Sequence, residues 1–358
     1  MRILFRLVTC LAILTTAADA HGQGGPSASR FALVIHGGVG TLSPESMTPV
    51  LEKAYRDTLS IALRRGYEIL ARGGSSLDAV EAVIRILEDS PLFNAGKGAV
   101  FTSAGTNELD ASIMDGRTLA AGSVAAVQRV RNPISLARLV MEKSPHVMMV
   151  GAGAEEFARL QGVELVAPHY FWTERRWKQY EDRKRAADTA SKAGVADGEQ
   201  KFGTVGAVAL DKAGNLAAGT STGGTTMKRF GRVGDAPIIG AGTYANNTSC
   251  AVSGTGDGEF FIRNNVAADI CARVRYTGAS LERAAEEVVM KVLVAQRGEG
   301  GVIAMDTKGN IATPFNTSGM YRGWARSDGA IVVKIFGSEI TPNCYATRCP
   351  LPVPSVHQ

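Results

Sequence analysis

The junction "KFGTVGAVAL" sets a small hydroxyl residue, Thr204, where a charged segment meets a run of alternating apolar residues. A mid-chain threonine hydroxyl is a weak nucleophile because no base stands beside it. At the start of a chain, its own α-amine, with an ordinary pKa of about 7.7–8.0, can accept the hydroxyl proton near neutral pH. Thr204 would gain that amine if the Gly203–Thr204 bond were cut. Gly203 suits the cut, since a residue without a side chain tolerates strained backbone and leaves its carbonyl open to the threonine oxygen.

Three further segments supply complementary chemistry. "GRVGDAP" carries Arg232 and Asp235 three positions apart. A guanidinium grips a carboxylate through two parallel bonds and a carboxylate binds an ammonium, so the pair could hold the zwitterionic end of an amino acid. A local surface ion pair is the alternative. "SGTGDGEFF" sets Thr255 beside Gly256 in a glycine-rich turn where main-chain N–H groups can converge on an oxyanion. A phosphate-cradling loop competes there, but the strand–loop–helix context of that fingerprint is missing. "PLFNAGKGAVFT" offers Asn94, either a contact to a reacting carbonyl or an ordinary turn asparagine.

These residues need elements to position them. "FALVIHGG" reads as a buried first strand, and a helix fits residues 48–71, stopped by Gly73 and Gly74. Ser75 and Asp78 have the spacing of a capping box for the next helix, which Pro91 limits. Asn132 and Pro133 open another helix as N-cap and first helical residue. "VMMVGAG" reads as a short buried strand, and residues 174–201 as a solvated helix fading into a flexible loop. "GAVALDKAGNLAAGTSTGG" (206–224) and "GVIAMDTKGNIATPFNTSG" (301–319) align without gaps and predict two hairpins with one turn chemistry. The second copy has Glu299 where the first has Thr204, so the hairpin itself does not require the threonine.

The 358 residues are 45% hydrophobic and 20% charged, a globular composition for one large domain or two ordinary ones. A net charge of +5, spread thinly, with only 6% aromatic residues, argues against nucleic-acid binding. Arg2 and Arg6 flank a short apolar run ending in "TTAADA", which predicts a signal peptide cleaved after Ala20 and an exported, periplasmic or secreted protein with no membrane association after cleavage. Cys10 would leave with it. Cys344 and Cys349, close in a proline-rich tail, then form the expected disulfide of an oxidising compartment. The five histidines form no metal-ligand pattern, so no catalytic metal or cofactor is expected.

Taken together and in order, "IHGGVG", "FNAGKGAVFT", "ELDASIMDG", "RNPISLARLVME", "SPHVMMVG", "GTVGAVALD", "STGG", "GRVGDAP" and "PFNTSGMYR" resemble the isoaspartyl peptidases, or plant-type L-asparaginases, over about residues 31–335. The resemblance implies an α/β fold, the four-layer αββα sandwich of the N-terminal nucleophile hydrolases, as one catalytic domain. It further implies self-cleavage at Gly203–Thr204 into an α subunit, 21–203, ending in a flexible linker over about 174–203, and a β subunit, 204–358, with a Cys/Pro-rich tail from about 338. Thr204 would be the nucleophile, tuned by Thr222. Arg232 and Asp235, with Val233 and Gly234 between them, would bind substrate. Thr255 and Gly256 would form the oxyanion hole, Gly258 would contact substrate, and Asn94 would orient the reacting group. Carbonyls of Leu87, Glu88, Ser90, Phe93, Ala95 and Lys97 would hold a structural sodium ion. The implied substrates are asparagine and β-aspartyl peptides, and the implied assembly is a homodimer of αβ units. Asp257 departs from the family's "TGTGE" and adds a carboxylate near the site, which leaves the balance between those substrates open. A glycosylasparaginase of the same fold, or a glycine-rich nucleotide-binding protein, are the alternatives.

Overall fold

The computed structural model describes residues 30–40, 42–193 and 203–339. The proposed signal peptide, the last part of the linker and the Cys344–Cys349 pair lie outside the described residues. In chain order the strands and helices are β1 (Ala32–Gly40), α1 (Pro49–Ala71), α2 (Ser76–Glu88), β2 (Leu109–Asp115), β3 (Ala121–Val127), α3 (Pro133–Lys143), β4 (Met148–Val150), α4 (Gly151–Leu160) and α5 (Glu174–Ala193). After Gly203 come β5 (Val205–Leu210), β6 (Leu216–Thr222), β7 (Thr243–Ala245), β8 (Cys250–Gly256), α6 (Gly258–Asn264), α7 (Val266–Thr277), α8 (Leu281–Glu286), β9 (Gly300–Asp306), β10 (Ile311–Ala312), β11 (Gly319–Arg326) and β12 (Ile331–Phe336). No described helix is long and apolar enough to cross a membrane.

Eight strands form one sheet in the order β12-β11-β1-β5-β6-β2-β3-β4, and four form a second in the order β10-β9-β8-β7. The period-two alternation of side chains assigns each strand residue to one of two cores. In β1, Leu33 and Ile35 join Leu59, Leu63, Val80 and Ile84 of α1 and α2. The intervening Val34 instead meets Val208, Ala251, Ile303 and Met305 between the two sheets. In β9, Val302 and Ala304 face away from that seam and pack with Ile270, Leu281 and Val289 on the other side. The result is helix, sheet, sheet, helix: a sandwich whose central strands are buried on both faces and so read as nearly continuous apolar runs.

Local signals act as expected at the caps. Thr48 accepts the Leu51 N–H at the head of α1, and Ser75 accepts the Asp78 N–H at 3.1 Å. Asn132 and Pro133 stand at the head of α3 as expected, but the Asn132 side chain turns to Asp89 and Glu88 accepts the Ile134 N–H in its place. In the β5–β6 turn, Asp211 Oδ1 accepts the N–H groups of Ala213 and Asn215. Asp306 repeats the pattern with Lys308 and Asn310. The two hairpins nevertheless lie in different sheets, and β10 is only a stub before the chain crosses back to β11 of the large sheet.

Two expectations are corrected. β4 is no buried strand: it pairs parallel to β3 at the sheet edge, with Met148 and Val150 exposed. The head of α5 is not simply solvated either. Arg176 is fully buried and donates Nε–H to the Gly98 carbonyl at 2.6 Å, and Arg175 donates to the Leu92 carbonyl at 3.0 Å. These bonds anchor the helix to the loop bearing Asn94. Burial lowers the Arg176 pKa to about 9.

Cys250 of β8 and Cys271 of α7 form a disulfide joining the small sheet to its covering helix. Their separation of 21 residues carried no sequence signal beyond an even number of remaining cysteines.

Candidate active site

Thr204 sits at the head of β5, in the middle of the large sheet, with Thr222 at the end of the neighbouring β6. Their hydroxyl oxygens are 3.0 Å apart. In the continuous chain Gly203 has the left-handed φ of 56° that glycine accepts readily. A side chain on Gly38 would overlap the Gly203 backbone, so the two glycines let β1 press against the junction. The Gly203 carbonyl accepts the main-chain N–H of Asn94 at 2.9 Å. The side chain of Asn94 works elsewhere: its amide donates to the Gly224 carbonyl at 2.7 Å and its oxygen accepts the Val100 N–H at 3.0 Å. It thus holds its own loop against the segment after β6. Sequence reading placed Asn94 beside the reacting carbonyl, but could not distinguish its backbone from its side chain.

One cleft brings together Gly203, Thr204 and Thr222; Arg232, Gly234 and Asp235 from the loop before β7; and Thr255 and Gly256 from the end of β8. Val39, Gly224 and Thr225 complete it, none of them singled out by sequence. Val233 and Gly258 do not line it. Gly258 backs Arg232 instead, because a Cβ there would lie 2.8 Å from the guanidinium Nη2. Asp257 turns its carboxylate to the Glu299 N–H at 2.9 Å, bracing the turn after β8 against the start of β9. The glycine-rich turn does join strand β8 directly to helix α6, a strand–loop–helix context that the sequence did not lead us to expect. Because β8 runs antiparallel to both β7 and β9, however, the turn does not belong to a nucleotide-binding βαβ unit.

Arg232 and Asp235 do not form the local ion pair that sequence offered as the alternative. Arg232 makes a bidentate pair with Glu259 of α6, Nε and Nη2 each 2.9 Å from a carboxylate oxygen. Glu259 is half exposed and stands 27 residues away, so the local pattern could not reveal it. Asp235 is buried, and its Oδ2 has no hydrogen-bond partner. Desolvation raises its pKa from an ordinary 3.8 to about 7, against the opposing pull of Arg232. A buried carboxylate with one oxygen unbonded in a cleft suits a ligand that brings its own cation.

The floor beneath this loop is also charged. Lys228, almost fully buried, donates to the Glu108 carbonyl at 3.2 Å and lies 3.8 Å from Asp110 Oδ2. Asp110 is opposite Thr222 in the β2–β6 register. Burial raises its pKa, while Lys228 opposes the rise.

The family pattern described as asparaginase matches residues 29–335. An isoaspartyl peptidase of Escherichia coli is 55% identical over 294 residues, covering 82% of this chain and 92% of that protein. The isoaspartyl peptidase of Salmonella typhimurium is 53% identical over 298 residues, covering 83% and 95%. An isoaspartyl peptidase/L-asparaginase of Mus musculus is 42% identical over 288 residues, covering 80% and 86%. These matches make the chain a hydrolase of the N-terminal nucleophile class. Within it, this chain belongs to the asparaginase family.

Proposed function

We propose that the protein cleaves itself between Gly203 and Thr204 and then hydrolyses β-aspartyl peptides and L-asparagine, releasing L-aspartate. The observation carrying this reading is the Thr204–Thr222 hydroxyl pair at 3.0 Å, in one cleft with a buried Asp235, whose Oδ2 has no hydrogen-bond partner, and the Arg232 guanidinium.

In maturation, Thr204 Oγ adds to the Gly203 carbonyl carbon, whose oxygen already accepts the Asn94 N–H. Collapse breaks the C–N bond and leaves a Gly203 ester on Thr204 with a free α-amine. Water then cleaves the ester, giving a Gly203 carboxylate and an N-terminal Thr204. In turnover, that amine takes the hydroxyl proton, and Oγ adds to the substrate's β-carbonyl. Main-chain N–H groups around Thr255 and Gly256 receive the oxyanion. Ammonia or the amine of a peptide leaves with the proton, and water hydrolyses the β-aspartyl ester. Arg232 takes the substrate α-carboxylate, and Asp235 takes its α-ammonium.

The loop over 87–98 suits a structural sodium ion held by the carbonyls of Leu87, Glu88, Ser90, Phe93, Ala95 and Lys97. A side chain on Gly96 would overlap the Glu88 carbonyl, and one on Gly98 the Phe93 carbonyl, so this turn is built around clustered carbonyl oxygens. Such an ion would add rigidity to the loop that carries Asn94.

We further read the protein as exported, a reading supported by the "TTAADA" pattern and by the Cys250–Cys271 disulfide, a bond favoured in oxidising compartments. Its assembly as a dimer of αβ units is inferred from the family, and light scattering of the mature protein would test it. The deciding test of function pairs a denaturing gel with activity on asparagine, β-aspartyl dipeptides and glycosylated asparagine. Wild type should give two bands and turn over the first two. Thr204→Ala should stay a single inactive chain. An active wild type that stays uncut would sink the proposal.

A further inference from the structure

His36 lies one residue before the glycines that press on the cleavage junction, and it is fully buried between the sheets. Its Nδ1 is 3.2 Å from the Thr204 carbonyl oxygen. A carbonyl only accepts, so Nδ1 must carry the proton and donate. Its Nε2, then unprotonated, accepts from the Ser253 hydroxyl at 3.0 Å. The bond falls at a revealing place. The β1–β5 ladder runs only as far as the pair His36–Gly206, because β1 bends away through Gly37 and Gly38. Beyond it, the Thr204 carbonyl has no β1 backbone partner, and the imidazole takes that role.

The ring has a built seat. A side chain on Gly206 would overlap both the His36 ring and the Ser253 hydroxyl, which gives the second glycine of "GTVG" a reason. Behind Ser253 a row of buried hydroxyls continues across the sheets: Thr220 at 2.7 Å, Thr243 at 2.6 Å from Thr220, and Ser112 at 2.8 Å from Thr243. Ser112 also reaches the Ala236 carbonyl at 2.6 Å, adjacent to Asp235. Five side chains from five strands therefore connect the nucleophile's backbone to the loop that holds the substrate ammonium.

We propose that His36 is a positioning residue. By gripping the Thr204 carbonyl through Nδ1–H, it fixes the nucleophile's backbone where the β-ladder has ended, and it keeps that grip once cleavage has removed the chain on the other side. After the cut, Thr204 is held only from its C-terminal side, and a terminal residue frays unless tied down. Its Oγ and amine must both keep their aim. The imidazole suits this task because burial lowers its pKa to about 3, leaving it a neutral, constant donor across the working range.

The proposal rests on Thr204 as nucleophile, and its first test is independent of that reading. Nitrogen-15 NMR of the ring in folded wild type, over roughly pH 5 to 8, should show a neutral Nδ1–H tautomer throughout. An Nε2–H tautomer, or titration in that range, overturns the proposal even if Thr204→Ala stays a single inactive chain. The second test compares His36→Leu, which keeps volume without a donor, with His36→Gln, which keeps a donor. Leu should slow self-cleavage and lower kcat of the matured fraction by about 10- to 100-fold with KM nearly unchanged, as expected for a displaced nucleophile. Gln should recover much of the loss. Equal behaviour of the two, or a loss confined to KM, overturns it. If Leu does not fold, His36→Val, a smaller side chain that also lacks a donor, takes its place, and the same outcomes decide.

Discussion

Under the proposed function, Asp235 couples substrate recognition to pH. Its carboxyl takes up a proton below about 7, and the neutral acid cannot balance an ammonium. For substrates with a free α-amine, kcat/KM should therefore fall as pH drops below about 7, by about tenfold per unit once the group is mostly protonated. An α-acetylated β-aspartyl substrate should lack that limb, and pH–rate profiles on the two substrates decide the matter. The sign for stability is opposite to that of an ordinary salt-bridged aspartate. Because the folded pKa is raised, the contribution is favourable at low pH and lost as pH rises from about 4 to about 7. Asp235→Asn should thus be more stable than wild type at pH 8, with the gap closing in acid, as denaturant midpoints would show. For Arg232, truncation to Ala should cost on the order of 2–5 kcal/mol of transition-state binding, roughly 30- to several-thousand-fold in kcat/KM. Glu259→Gln should cost far less, because it keeps a side-chain oxygen to accept from Arg232 and the half-exposed Glu259 does not line the cleft. At this scale the sequence was legible where partners are close. Arg232 and Asp235 share a loop, and Thr204 and Thr222 share a hairpin. His36, Ser253 and Glu259 escaped because their partners lie 168, 217 and 27 residues away.

Among the elements, the disulfide between β8 and α7 makes the most direct prediction. It clamps the strand that ends in Thr255 and Gly256 to its covering helix. In the chain-entropy account, closing a loop of this length contributes about 3 kcal/mol. Cys250→Ala should lower the urea midpoint accordingly, and reductant should destabilise wild type but not the variant. Equal midpoints for the two proteins in oxidising buffer would refute it. Caps and turns were readable because each depends on two to four adjacent residues, as with Ser75 and Asp78 or Asp211 and Asn215. Destinations were not. The echo between 206–224 and 301–319 announced one turn chemistry twice, yet said nothing of which sheet each copy would join. The exposure of β4 and the anchoring of α5 through Arg176 were likewise settled by distant neighbours.

For the whole molecule, the layering was available only through family resemblance, since runs buried on both faces show no clean alternation. Given the proposed cut at Gly203–Thr204, the strand order of the large sheet also governs the fate of the products. Across it, β12 and β11 belong to the segment after the cut, β1 to the segment before, β5 and β6 to the one after, and β2, β3 and β4 to the one before. The two products are woven through each other, so breaking one peptide bond does not divide the body. It does change the molecularity of the return journey. Uncut Thr204→Ala refolds as a single chain at a rate independent of dilution, whereas the matured enzyme, once unfolded, must find its other half by diffusion. Its melting temperature should rise with protein concentration, and its recovery after denaturation should fail at high dilution. Cleavage would then act as a one-way gate, leaving an enzyme whose lifetime is governed by how slowly its halves come apart.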